Sequence, residues 1–219
     1  LNRLIMFHWQ LKDWPRFTYS VEKLHELSIY FAREFGAVNG LLAGLKDEVK
    51  QETVLEILIE EAIKTSKIEG ELMSREDVMS SLKNNLGIQQ SPAVKDKRAS
   101  DIARLMVEIS QASNQILSID TLCHWHNVLM EHNPKINPGK WRQGTEPMQI
   151  ISGAYRREIV HYQAPPAVDV PKEMDTFIKW FQSPELRVKD NISKALLKSS
   201  IAHLYVESIH PFEDGNGRI

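Results

Sequence analysis

Long apolar runs are missing from this 219-residue sequence. No stretch reaches the roughly 18 apolar residues that mark a membrane-spanning helix, so no membrane span is expected. Cys123 is the one cysteine, which excludes an internal disulfide and suits a reducing, cytoplasmic location. A surplus of either charge is lacking: 27 Lys and Arg stand against 29 Asp and Glu, so composition gives no footprint for nucleic acid. There is no internal repeat and no low-complexity segment. The opening "LNRLIMFHW" lacks a full hydrophobic signal region and a small-residue cleavage site. No Met stands first, and the chain stops at Ile219 inside a dense motif; a fragment of a longer protein is expected. The hydrophobic share of 42% and charged share of 26% are those of an ordinary globular chain, long enough for one large domain or two small ones.

Periodicity points to a mainly helical, all-α fold. "WQLKDWPRFTYS" reads as an extended, anchored lead-in. Ser20 caps a helix over about 21–45, in which Leu24, Leu27, Ile29, Phe31, Phe35, Val38 and Leu41 recur near helical spacing. Asp47 opens a second helix with a stripe of Val54, Ile57, Leu58, Ala62 and Ile63, ending at Gly70. Ser74 caps a third, with Asp77 at the third helical position and Gly87 as its stop. "IQQSPAVKDK" is a polar linker. It separates an N-terminal helical module, residues 1–90, from the remainder, 98–219. Helices are expected over 99–117, 120–131, 171–182 and 191–209. The last is apolar on most faces and reads as a central buried helix. Between them, "MQIIS" and "EIVHY" flank "GAYRR", the signal of a β-hairpin.

The closing "HPFEDGNGRI" concentrates chemistry. Pro211 disfavours helical geometry at His210 and so ends the preceding helix. Phe212 suits an apolar anchor. Two glycines and an asparagine permit backbone N–H groups to converge on one point. Arg218 adds a permanent forked cation. Asp214 beside such an anion site is placed to hold Mg²⁺, and His210 to act as a general base. Each feature alone is more often a plain turn or a structural histidine; their joint order is far more restrictive.

"HPFEDGNGR" resembles the signature loop of Fic domains, His-Pro-Phe-x-Asp/Glu-Gly-Asn-Gly-Arg, at every specified position. The resemblance implies a Fic-type helical bundle with a β-hairpin flap and an N-terminal helical extension. It implies a protein adenylyltransferase, which moves AMP from ATP to a hydroxyl of a target protein. His210 then resembles the base, Asp214 the Mg²⁺ ligand, Gly215, Asn216 and Gly217 the phosphate-cradling turn, and Arg218 a phosphate-binding arginine. The family motif continues with a second arginine, three residues beyond Arg218, which this sequence does not reach. "TSKIEG", Thr65 to Gly70, resembles the family's inhibitory motif. Thr65 and Glu69 share a helix face, and in the family this glutamate enters the nucleotide site and competes with the γ-phosphate. The hairpin, with Gln149, Ile150, Ile151, Ser152 and Gly153, lies where the family carries a flap that takes its target by strand addition.

The implied partners are ATP with Mg²⁺ and a target protein bearing a Ser, Thr or Tyr hydroxyl, this chain itself included. Alternatives are the reverse reaction, removal of AMP, and a nucleotide-binding regulatory or toxin-like module with little turnover. His203 is expected to face the core or a neighbouring helix. Cys123 and His126 have no second pair to complete a metal site, and Trp125, Trp141 and Trp180 read as core.

Overall fold

The computed structural model of the chain describes residues 6–88, 94–112, 115–154 and 157–219. About 60% of the described residues are helical. Among the described residues are seven α-helices: α1 (Val21–Ala43), α2 (Asp47–Ile68), α3 (Arg75–Asn85), α4 (Lys97–Gln111), α5 (Ile119–Met130), α6 (Val170–Gln182) and α7 (Asn191–Ile209). Strands β1 (Gln149–Ser152) and β2 (Ile159–Gln163) form an antiparallel pair. None of the helices is long and apolar enough to cross a membrane. The chain divides into two compact units: Leu1–Tyr30 with Trp141–Asn216, and Phe31–Lys140 with Gly217–Ile219.

The second unit is built by α2 to α5. Leu55, Ile59 and Ala62 of α2 are buried with Val78 and Leu82 of α3 and Ile102 and Ala103 of α4. On α2 and α3 these recur every three or four residues, so each of those helices lays one stripe into a common core. The stripe on α2 differs from the expected one. Leu58 and Ile63 are partly buried at its margins, but Val54 and Ile57 face outward. In that run nearly every turn carries apolar residues on two sides, and the α3–α4 packing selects the row through Leu55 and Ile59. Ser74 does cap α3, accepting from Asp77 N at 3.5 Å. Helix α4 stops at Gln111, six residues before the expected end. The polar linker falls largely on residues 89–93, outside the described residues.

Helix α1 forms as its spacing predicts, with Ser20 Oγ accepting from Lys23 N at 3.3 Å. Its apolar row is nevertheless exposed, Leu27, Phe31, Phe35 and Leu41 included. Spacing sets the helix; burial needs a partner surface as well.

The first unit gathers aromatic rings around Tyr205 of α7. Trp14, Phe17, Phe177 and Trp180 lie at centroid distances of 5.0, 5.3, 5.3 and 5.9 Å from it. The lead-in segment is anchored, but it is folded into a short 3-10 turn at His8–Gln10 rather than extended. Trp9 Nε1 donates to Gln163 O at 2.6 Å and Trp14 Nε1 to Glu173 Oε2 at 2.9 Å. Helix α7 has the predicted bounds, with Asp190 accepting from Ser193 N at 2.7 Å. It is not buried on most faces. Ser193, Leu197, Ile201, Tyr205 and Ile209 make one i, i+4 row into the core, whereas His203 and Leu204 are exposed. His203 therefore departs from the expected inward position.

Candidate functional site

Helix α7 ends as Pro211 dictates. His210 is its C-cap, with φ 51° and ψ 61°, and its N–H donates to Val206 O at 2.8 Å. Among the described residues it alone combines a side chain larger than glycine's with positive φ. Such a conformation costs roughly 1–3 kcal/mol and persists only where the surroundings impose it. Those surroundings are specific. Arg142, nearly fully buried, donates from Nε to His210 O at 2.6 Å and from Nη2 to Ile209 O at 3.2 Å and Pro165 O at 2.5 Å. Its backbone N–H reaches Pro211 O at 2.9 Å.

The imidazole is about a quarter exposed, with Nδ1 at 3.7 Å from Glu207 Oε2. Burial, and then the positive charge of Arg142, lower its pKa below the ordinary 6.5, against smaller opposing effects from Glu207 and Asp214. The ring is therefore neutral at neutral pH, the form a general base requires.

Phe212 is fully buried against Trp141, with ring centroids 4.8 Å apart. Burying such a ring contributes about 1.5–3 kcal/mol, enough to pin the loop. Asn216 closes the turn: Phe212 N donates to its Oδ1 at 2.9 Å and its Nδ2 to Phe212 O at 3.0 Å. Its amide thus serves the loop's own backbone. Gly215, at φ 79°, supplies the conformation that a side chain would resist. Asp214 is exposed, with Oδ1 accepting from Gly215 N at 2.7 Å. A solvent-facing carboxylate on a rigid turn is a hard oxygen donor that fits Mg²⁺.

In the second unit the C-terminus of α2 meets the end of the same loop. Gly70, at φ 80°, closes a Schellman motif: Gly70 N donates to Lys67 O at 3.1 Å and Glu71 N to Ser66 O at 2.8 Å. Glu69 is the C-cap, its N–H donating to Thr65 O at 3.4 Å. Its carboxylate lies against Gly217. A Cβ on that glycine would overlap the carboxylate, with Oε2 at 2.8 Å. Arg218 is half-buried, and its Nη2 donates to Met130 Sδ at 3.5 Å.

In the hairpin, Gln149 pairs with Gln163 and Ile150 with Tyr162, and the register shifts between Ile150 and Ile151. All of β1 is exposed. Gly153, at φ 106°, sits where a Cβ would collide with Arg157.

Histidine and acid clusters elsewhere have structural partners. His126 is buried and its Nδ1 accepts from Gly139 N at 2.8 Å. The Cys123 thiol is pushed up by burial and then by Asp120. Asp101, Glu131 and His132 lie close enough to share a cation, but both Asp101 oxygens sit 2.9 Å from His132 Nδ1 and Glu131 pairs with Arg104.

Comparison with known proteins agrees with this geometry. Residues 116–219 match the Fic/DOC family model, and residues 7–88 match a domain of unknown function, DUF4172. Residues 116–219 are a Fic/DOC family domain. Fic family proteins generally transfer a nucleotide monophosphate to proteins. The fold is similar to that of a Fic family protein from Desulfovibrio desulfuricans G20, at 24% identity and a TM-score of 0.60, covering 93% of this chain and 56% of that one. It is also similar to a Fic domain containing signaling protein from Bacteroides thetaiotaomicron VPI-5482, at 14% identity and a TM-score of 0.55, covering 90% of this chain and 67% of that one. The chain thus spans a little over half the length of the first. The residues that sequence reasoning missed in the Fic domain are Arg142 and Tyr162. Both act through long-range bonds to backbone carbonyls, for which a single sequence carries no local signal.

Proposed function

We propose that the chain is the catalytic part of a protein adenylyltransferase restrained by its own Glu69. The observation that carries the reading is the loop from His210 to Arg218, where a neutral buried-edge histidine precedes a stapled turn bearing an exposed carboxylate. With Nδ1 facing Glu207, Nε2 is the nitrogen left to receive a proton. It takes the proton of a target hydroxyl as that oxygen attacks the α-phosphorus of ATP. The bond to the β-phosphate oxygen breaks and pyrophosphate leaves. Asp214 would hold Mg²⁺, which supplies charge neutralisation on the phosphates. Backbone N–H groups around Gly215 and Gly217, with Arg218, would meet the charge that spreads over the phosphoryl oxygens. Exposed β1 would take the target backbone by strand addition.

Glu69 supports the regulatory half of the reading. A carboxylate resting on Gly217 occupies space and negative potential that a nucleotide phosphate would need. Full-length wild type and Glu69→Gly protein, incubated with α-labelled ATP and Mg²⁺, should differ in labelling by ten-fold or more in favour of the variant. Equal labelling would remove Glu69 from regulation. Lower labelling with slower release of AMP from a modified target would favour the reverse reaction, in which the same carboxylate orients water.

A further inference from the structure

The last carbonyls of an α-helix have no partner within the helix and are commonly left to solvent. At the end of α7 those of Ser208 and Ile209, and the two carbonyls that follow, meet dedicated donors. Tyr162 O–H donates to Ser208 O at 2.6 Å. Arg142 takes Ile209 O, His210 O and, through its backbone N–H, Pro211 O. The same guanidinium bonds Pro165 O, just beyond β2. Among the described residues no carboxylate pairs with Arg142, and at 4% exposure it is too enclosed to serve as a surface anion receptor. Its donors are directed at backbone.

We propose that Arg142 is a positioning residue: it holds the left-handed backbone at His210, and thereby the imidazole, from the root of the β-hairpin. Tyr162 assists by fixing the preceding carbonyl. A planar fork can bridge three carbonyls at once, which a lysine ammonium on a flexible stem cannot do in a fixed plane. The consequence for transfer rests on the adenylyltransferase reading; the consequence for the geometry of His210 does not. Loss of the clamp should lower turnover while leaving ATP affinity alone, because the phosphate turn is stapled separately by Asn216.

The test uses full-length Arg142→Lys and Tyr162→Phe proteins, with two readouts. One is steady-state transfer from labelled ATP. The other is carbethoxylation of His210 by diethyl pyrocarbonate, followed by peptide mass spectrometry, with exposed His203 as the internal reference. Arg142→Lys should lower kcat by ten-fold or more, leave KM for ATP within two-fold, and raise the His210:His203 modification ratio by at least three-fold. Tyr162→Phe should move both readouts in the same sense by a smaller factor, and it stands as the test if Arg142→Lys does not fold. An unchanged modification ratio in a folded variant overturns the inference, as does a loss confined to KM. If wild type shows no transfer yet the ratio shifts, the clamp stands and the adenylyltransferase reading falls.

Discussion

His210 combines a costly backbone conformation, held by Arg142 where α7 ends, with a pKa lowered by burial and by Arg142. His210→Ala should lower transfer by about 10²–10⁴-fold, the usual range for a lost general base, with the folded state retained on circular dichroism. The pH dependence has a definite sign. Desolvation and Arg142 oppose protonation, whereas Glu207 and Asp214 favour it more weakly. The neutral ring therefore persists to below pH 6.5, and the acid limb of kcat should lie below that value. Protonation is easier in the unfolded chain, so wild type should lose stability relative to His210→Ala as pH falls through the region below 6.5. Melting both proteins from pH 7.5 to 5 checks this; a gap that widens in favour of wild type at low pH would contradict it. That His210 and Asp214 share one loop was legible because nine contiguous residues form it. Pro211 foreshadowed the end of α7 but not the left-handed state, since a residue before proline ordinarily takes extended backbone. Arg142, 68 residues away from His210, was not, since nothing in "KWRQG" indicates which carbonyls it will meet.

At the scale of elements, α2 shows how a helix can aim one side chain. Its length is set by the Schellman closure at Gly70, and Glu69 is its C-cap, the last position before the chain turns away. A Cβ at Gly70 would meet nothing within 4 Å, so the cost of Gly70→Ala is conformational alone. It should destabilise the protein by roughly 1 kcal/mol, read from the urea midpoint, and raise basal labelling by freeing Glu69. Gly70→Asn should be milder on both counts, since asparagine tolerates the left-handed region. Helix ends were the best-predicted parts of the N-terminal module, because Ser74, Gly70 and Gly87 act through bonds three to five residues away. Helix faces were harder to read. The rows through Leu55 and Ile59, and the exposed row on α1, were decided by surfaces remote in sequence.

At the scale of the whole molecule, neither unit is a continuous piece of chain. The first joins residues before Tyr30 to those after Trp141, and its aromatic core needs both. Trp14→Ala, which removes a half-buried ring from Tyr205 and a bond to Glu173, should cost on the order of 3 kcal/mol in a denaturant melt. A chain beginning at residue 116, the span of the Fic family model, should fail to melt cooperatively. This interleaving bears on how the protein is made. Trp14 leaves the ribosome 159 residues ahead of Glu173, an interval of roughly 8–30 s at ordinary translation speeds of about 5–20 residues per second. During that time Trp9, Trp14 and Phe17 lack their partners in β2, α6 and α7, whereas residues 31–140 emerge as an unbroken run that holds most of its own core. Synthesis thus leaves an aromatic segment waiting, open to chaperones, until the segment bearing His210 appears.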